Sequence, residues 1–187
     1  MCDDRVRENR TMTEIEEILF DAQTIENKVR ELAAQISGDY EGKDLVLVCI
    51  LKGAITFTAD LMRRLSIPVE IDFVRAASYG ASTVSSRKIT ITKDIETDIR
   101  GKHVLLVDGI IDSGDTLDCL CKRFVEKGPA SVKAIVLLNK KARRMVEMPL
   151  AYRGFEIPDT FVVGYGMDCA EKYRNLPYIA ALKPPSR

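Results

Sequence analysis

Neither sign of charge is in excess: 28 Lys and Arg are matched by 28 Asp and Glu, for a formal net charge of zero. A nucleic-acid-binding chain usually shows a basic surplus, so that class is disfavoured. No apolar run reaches the length of a membrane span. The first residues, MCDDRVRENR, are polar and charged, so no secretory leader is expected. Histidine occurs once, as His103, with no Cys or His close by in sequence. That isolation points to a structural role. The five cysteines, Cys2, Cys49, Cys119, Cys121 and Cys169, form an odd, scattered set without a Cys-x-x-Cys pair. Such a pattern fits reduced thiols in a cytoplasmic protein. Internal repeats, low-complexity segments and domain linkers are absent as well.

What is present is a chain of 187 residues, 46% hydrophobic and 30% charged. Those values suit a soluble globular protein with one sizeable core, a single domain over 1–187. The most informative stretch is VLLVDGIIDSGDTL, Val104 to Leu117. Val104 to Val107 form a continuous apolar run, the pattern of a parallel strand buried on both faces. The run is expected to stop at Asp108. A polar cluster follows, Asp112-Ser113-Gly114-Asp115-Thr116. Then Leu117, Leu120, Cys121, Phe124 and Val125 recur at helical spacing until Gly128-Pro129. Strand, polar loop and helix start make an anion site, because a helix N-terminus presents unpaired N–H groups and a positive dipole end. Gly114 allows close backbone approach, and Ser113 and Thr116 add hydroxyl donors. Asp108 and Asp112 can accept from hydroxyls, hold a cation or take a proton. Asp115 must point away from a phosphate or cap the helix. The loop is neither a Walker A loop nor a dinucleotide turn, since no Gly-Lys-Ser/Thr and no Gly-x-Gly-x-x-Gly follows the strand.

Other segments repeat the alternation of buried strand and amphipathic helix. Asp21 to Ile36 puts Ile25, Val29, Leu32, Ala33 and Ile36 on one helical face, with Gly38 as terminator. Leu45 to Ile50 is a buried strand that runs into Leu51-Lys52-Gly53 and a helix from Ala54 to Leu65. A lysine at the carboxyl end of a strand favours anion binding. Val69 to Val74 alternates as a half-exposed strand. Ser78-Tyr79-Gly80 opens a small-residue segment, and Arg87 to Lys93 alternates again, so 76–93 reads as a mobile hairpin-like arm. Val132 to Leu138 is a buried strand followed by Asn139-Lys140-Lys141. Thr160 to Val163 and Tyr178 to Leu182 complete the strands. The fold class is α/β, a mostly parallel sheet with helices on both faces.

The central stretch resembles the phosphoribosyl pyrophosphate motif of type I phosphoribosyltransferases. The segment Gly154 to Pro177, GFEIPDTFVVGYGMDCAEKYRNLP, narrows the resemblance to the hypoxanthine-guanine phosphoribosyltransferase family. It runs from about Glu14 to Leu182. The resemblance implies a type I phosphoribosyltransferase fold with a small hood built from the terminal segments. It implies purine salvage: transfer of a phosphoribosyl group from phosphoribosyl pyrophosphate to hypoxanthine or guanine, giving a nucleoside monophosphate and pyrophosphate, with Mg2+. By the same resemblance Asp112 is the catalytic base at purine N7, although a helix N-terminus lowers a carboxylate's pKa and so weakens it as a base. Asp108, Asp112, Ser113, Gly114, Asp115 and Thr116 bind phosphate and ribose. Lys52, Gly53 and Arg174 bind pyrophosphate, with the Leu51–Lys52 peptide cis. Lys140 donates to the oxygen at purine C6, Phe161 stacks on the ring and the Val162 backbone reads the base edge. Met167 covers the other ring face. Asp168 lies near the purine and a second metal, so that Asp108 and Asp168 are the metal residues. Ser78 and Tyr79 open the arm that closes over the reacting centre. A homodimer or homotetramer is implied.

One departure stands out. The family usually has two adjacent acids after the central strand, and here the pair is Asp108-Gly109. A second class of function therefore remains: a purine-nucleotide sensor or regulator on the same fold, with weak or no turnover because Gly109 replaces an acid.

Overall fold

The computed structural model describes residues 15–79, 88–142, 144–146 and 150–183. In chain order the elements are β1 (Ile15–Phe20), α1 (Ala22–Asp39), β2 (Leu45–Ile50), α2 (Ile55–Met62), β3 (Val69–Tyr79) and β4 (Lys88–Lys93). Then come β5 (His103–Ile111), α3 (Asp115–Val125), β6 (Ser131–Lys140), β7 (Tyr152–Ile157), β8 (Val162–Val163) and β9 (Ile179–Leu182).

The main sheet has six strands in the order β4-β3-β2-β5-β6-β7, parallel throughout except for β4. Its centre is built from the continuous apolar runs, because a strand covered on both faces has no polar side. Leu45 and Leu47 of β2, Leu105 and Val107 of β5, and Ile135 and Leu137 of β6 face α1 and α2, where Ile25, Leu32, Ile36, Phe57 and Leu61 cover them. The alternate residues, Val46, Val48, Val104, Leu106, Ala134 and Val136, face α3 through Leu117, Leu120 and Phe124. Each fully buried Val, Leu, Ile or Phe among them contributes roughly 1.5–3 kcal/mol.

A second, three-stranded antiparallel sheet has the order β1-β9-β8. It joins the start of the described chain to its end, which is the hood expected from the terminal segments. Its inner side chains, among them Val162 and Ile179, join the α1-side core.

Several boundaries differ from the sequence reading. The first helix does not stop at Gly38 but runs on to Asp39; Asp21 caps its start, accepting from the Thr24 N–H at 2.7 Å. The second helix is shorter than Ala54 to Leu65. β5 does not stop at Asp108. It continues to Ile111 because β6 runs beside it, pairing Asp108 with Val136 and Ile111 with Asn139. β3 likewise extends to Tyr79 on its antiparallel partner β4. The strand expected over Thr160 to Val163 shrinks to Val162–Val163. Strands β1 and β7 were not anticipated. The tip of the proposed arm, 80–87, lies outside the described residues.

His103 is structural as expected: its Nδ1 is 2.7 Å from Ser131 Oγ and its ring meets Tyr40 edge-on. Among the described residues, no helix is long and apolar enough to cross a membrane.

Candidate active site

The strand order reverses between β2 and β5. The chain leaves β2 to build β3 and β4, then returns to lay β5 on the other side of β2. Loops after neighbouring strands then diverge, and a crevice opens at their carboxyl ends, where α/β sheets bind ligands. Pairing of β2 with β5 runs from Leu45↔His103 to Cys49↔Val107, while β5 continues along β6. Beyond Val107 the side once occupied by β2 is filled by the loop Leu51-Lys52-Gly53. The Leu51–Lys52 peptide is cis.

Asp108, Ile110, Ile111, Asp112, Ser113, Gly114, Thr116 and Leu117 line a small cavity of about 130 Å³. Gly114 is the N-cap of α3, with φ 92° in the left-handed region that glycine tolerates. A side chain there would also crowd the Val146 carbonyl, 3.0 Å from a Cβ position. Asp115 does not cap the helix with its carboxylate; it accepts from the Ser113 hydroxyl at 2.9 Å. Asp115 and Asp118 form an acidic first turn, favourable against the helix dipole.

The two acids of the loop differ. Asp108 accepts from its neighbour's N–H, Gly109, at 2.7 Å. Burial pushes its carboxyl up to about 7, against the opposing pull of the Gly109 and Ile110 N–H groups. Asp112 has one oxygen, Oδ1, that is buried and makes no hydrogen bond among the described residues. Its other oxygen, Oδ2, is 3.7 Å from Lys140 Nζ. A buried polar atom without a partner costs about 1–3 kcal/mol and usually has a role that needs it.

Lys140 ends β6 and is 6% exposed. Its ammonium lies between Asp159 at 3.1 Å and Asp112 at 3.7 Å. Lys141, the next residue, is exposed and pairs with Glu156. Phe161 is 56% exposed beside the buried Val162, an aromatic face left open to solvent. Met167 is buried.

Three glycines meet at the floor of the crevice. A Cβ on Gly109 would lie 3.1 Å from the Gly53 carbonyl and 3.7 Å from Met167 Cγ. A Cβ on Gly166 would lie 2.4 Å from the same carbonyl. Absent side chains thus let the Lys52 loop, the end of β5 and the segment carrying Met167 and Asp168 touch through backbone.

The remaining cations meet where the hood segment approaches the loop after β2. Asp168 is bonded to Arg174 at 2.7 Å and accepts from the Glu171 N–H at 2.8 Å. Arg174 also donates to the Gly166 carbonyl at 2.8 Å. Lys52 Nζ is 2.8 Å from Glu171 Oε2, and Arg174 is 3.4 Å from the same oxygen. Lys52, followed by Arg174, holds the Glu171 carboxyl below its ordinary range. Glu171 sits in a tight turn closed by reciprocal hydrogen bonds of Cys169 and Lys172, 3.2 and 3.1 Å. The central residues Ala170 and Glu171 have φ 50° and 65°. Two left-handed central residues define a type I′ turn, which normally takes Asn-Gly.

The crevice therefore brings together Lys52, Gly53, Asp108, Asp112, Ser113, Gly114, Thr116, Lys140, Met167, Asp168 and Arg174, residues that sequence reading drew from separate loops. Ser78 and Tyr79 are placed only as backbone, at the end of β3. Sequence reading missed Asp159, Glu171 and Arg144. Arg144 Nε donates to the Asp112 carbonyl at 3.2 Å, and its Nη2 donates to Asn139 Oδ1 at 2.5 Å. The basic run Lys140-Lys141-Ala142-Arg143-Arg144 was a signal for it.

Fold and crevice are those of a phosphoribosyl transferase domain, the family that matches residues 16–170. Curated relatives include the hypoxanthine-guanine phosphoribosyltransferase of Bacillus subtilis, 43% identical over 171 residues, covering 91% of this chain and 95% of that protein. The enzyme of the same description from Streptococcus pneumoniae is 46% identical over 170 residues, covering 91% and 94%. Among solved structures, a hypoxanthine-guanine phosphoribosyltransferase from Bacillus anthracis superposes with a TM-score of 0.86 at 45% identity, covering 92% of this chain and 100% of the other. A hypoxanthine phosphoribosyltransferase from Trypanosoma cruzi, in a ternary substrates complex, gives 0.86 at 38% identity over 91% and 96%. The chain belongs to the hypoxanthine-guanine phosphoribosyltransferase family.

Proposed function

We propose that this enzyme transfers the phosphoribosyl group of phosphoribosyl pyrophosphate to hypoxanthine or guanine, a purine-salvage reaction releasing IMP or GMP and pyrophosphate. The observation that carries the reading is Asp112: a carboxylate with an unpartnered buried oxygen, 3.7 Å from a buried lysine, on a phosphate-type loop.

The residues divide by chemistry. Ser113, Gly114 and Thr116 offer N–H and hydroxyl donors at the start of α3 for the sugar phosphate. Lys140 presents a donor to the purine oxygen at C6, which favours oxo purines over adenine, whose amino group is itself a donor. Phe161 supplies the stacking face, the Val162 backbone the edge contact and Met167 the opposite cover. Asp112 takes the proton that leaves purine N7 as the glycosidic bond forms. Lys52 and Arg174 receive the negative charge that develops on pyrophosphate. Arg174 does so as a planar fork suited to phosphate oxygens.

The donor set also fits magnesium. Asp108 and Asp112 are hard oxygen donors at one cavity, and Asp112 Oδ1 has no hydrogen-bond partner among the described residues. Asp168, the other expected metal residue, is held by Arg174 instead. Magnesium, when bound, supplies Lewis-acid neutralisation of pyrophosphate oxygens. Ser78 and Tyr79, at the end of β3, open the arm expected over 76–93, whose family role is to shield the reacting centre from water. A single domain, a cytoplasmic location and a homodimer or homotetramer complete the reading. The sensor alternative has no support from the relatives.

The test is turnover with phosphoribosyl pyrophosphate and magnesium, offering hypoxanthine, guanine and xanthine in turn. Stoichiometric nucleoside monophosphate and pyrophosphate are expected with the first two. Binding of nucleotide without any product would overturn the reading.

A further inference from the structure

We infer that Glu171 is an internal stand-in for the pyrophosphate anion: its carboxylate holds the two pyrophosphate cations, Lys52 and Arg174, in the substrate-free protein, and pyrophosphate must displace it. The inference rests on the proposed assignment of Lys52 and Arg174 to pyrophosphate.

The two cations come from distant parts of the chain. Lys52 follows β2 on the floor, and Arg174 lies in the hood segment before β9. Glu171 bridges them with one oxygen, Oε2, at 2.8 Å from Lys52 and 3.4 Å from Arg174. A phosphate oxygen between the same two groups would have the same chemistry: anionic, acceptor-only, and satisfied by an ammonium and a guanidinium.

The backbone is built to deliver this carboxylate. Ala170 and Glu171 both hold left-handed φ values, 50° and 65°, in a turn closed by Cys169 and Lys172. Residues with a Cβ are disfavoured there, and such conformations gather at functional sites. Asn-Gly would make the turn with less strain but would carry no charge to Lys52. The Glu171 N–H meanwhile donates to Asp168, which grips Arg174. One short turn thus places the carboxylate and, through Asp168, its guanidinium partner.

An anion already in place competes with the incoming one. It keeps the cations ordered and partly neutralised, and it speeds departure of pyrophosphate by offering a replacement partner. All three groups are part exposed, with side-chain exposures of 46% for Lys52, 65% for Glu171 and 24% for Arg174. The competition is therefore weak, of the size of a solvated ion pair.

Calorimetric titration with pyrophosphate at fixed magnesium tests this without turnover. Glu171→Gln is expected to bind pyrophosphate about two- to fivefold more tightly. Glu171→Gly, which suits the left-handed backbone, is expected to give a similar gain. The purine KM should stay unchanged and product inhibition by pyrophosphate should strengthen. Unchanged or weaker pyrophosphate binding in both variants would overturn the inference. Lys52→Ala is the control for the underlying assignment: if it leaves pyrophosphate affinity intact, the site reading itself is at fault.

Discussion

Asp112 combines three properties rarely found in one carboxylate. It opens the loop just after β5, one of its oxygens is buried without a partner among the described residues, and the other faces a buried lysine. Asp112→Asn keeps the shape and removes the proton acceptor. Turnover should fall by about 10²–10⁴-fold, the usual contribution of a positioned base, with a smaller effect on nucleotide affinity. Steady-state kinetics beside nucleotide titration check this, and equal turnover would reject the assignment. Gly109 poses a second question. The family resemblance puts an acid there, yet a Cβ would stand 3.1 Å from the Gly53 carbonyl, tight enough that the Lys52 loop must yield. Two substitutions separate charge from bulk. Gly109→Ala adds only the crowding and should raise the KM for phosphoribosyl pyrophosphate. Gly109→Asp adds the same bulk plus a carboxylate able to accept from a ribose hydroxyl. One charged hydrogen bond contributes roughly 1.5–3 kcal/mol. The Asp variant should therefore have a KM about tenfold or more below the Ala variant at matched magnesium. Equal constants for the two variants would show that the acid has no role at this position.

At the scale of elements, strand ends decide chemistry. β6 is apolar along its centre and ends in Asn139 and Lys140, both buried. A buried lysine needs partners, and Asp159 and Asp112 supply them from the loop before β8 and the loop after β5. Removing one partner of such a group strands the others. Lys140→Ala is thus expected to abolish most use of hypoxanthine and guanine while hardly changing pyrophosphate affinity, whose cations lie on other segments. Comparing kcat/KM for each purine with calorimetric binding of pyrophosphate checks it. A variant that keeps its preference for oxo purines would refute the role. The same logic explains why β5 outruns its apolar run. Asp108 and Gly109 do not look like strand residues, but β6 offers a continuous ladder, and pairing overrides local pattern.

For the molecule as a whole, one buried acid ties the arm-side strands to the core. Asp72 of β3 is 6% exposed. It accepts from the Phe73, Glu96 and Thr97 N–H groups at 2.6, 2.7 and 2.7 Å. Burial raises its pKa, but the Thr97, Phe73 and Glu96 hydrogen bonds outweigh this and the net shift is downward. A lowered folded-state pKa contributes stability that is full above the unfolded value near 3.9 and is lost as pH falls through the folded value. Asp72→Asn should cost about 1–3 kcal/mol at pH 7, and the difference from the unaltered protein should narrow below about pH 4. Urea unfolding across that range measures it. A gap that stayed constant with pH would contradict the titration.

The α/β class, the three central strands and helices α1 and α3 were legible because their patterns are local. A strand buried on both faces must be apolar at every position, and a half-buried helix must repeat near 3.6. The phosphate-type loop was legible for the same reason, its acids and hydroxyls being contiguous. β7 was not: Tyr152–Ile157 is an edge strand whose side chains meet unrelated partners, Asp39 for Tyr152 and Phe20 for Phe155, so no period survives. Glu171 was invisible because Lys52 lies 119 residues away, and an ion pair between distant loops leaves no mark in either. Local sequence set which segments become strand, helix and anion loop. Only the folded chain decided that Gly53, Gly109 and Gly166 touch, and that Lys52 and Arg174 share a carboxylate. Those contacts are fixed by the reversal of strand order between β2 and β5 and by the hood closing over it, which no window of neighbouring residues encodes.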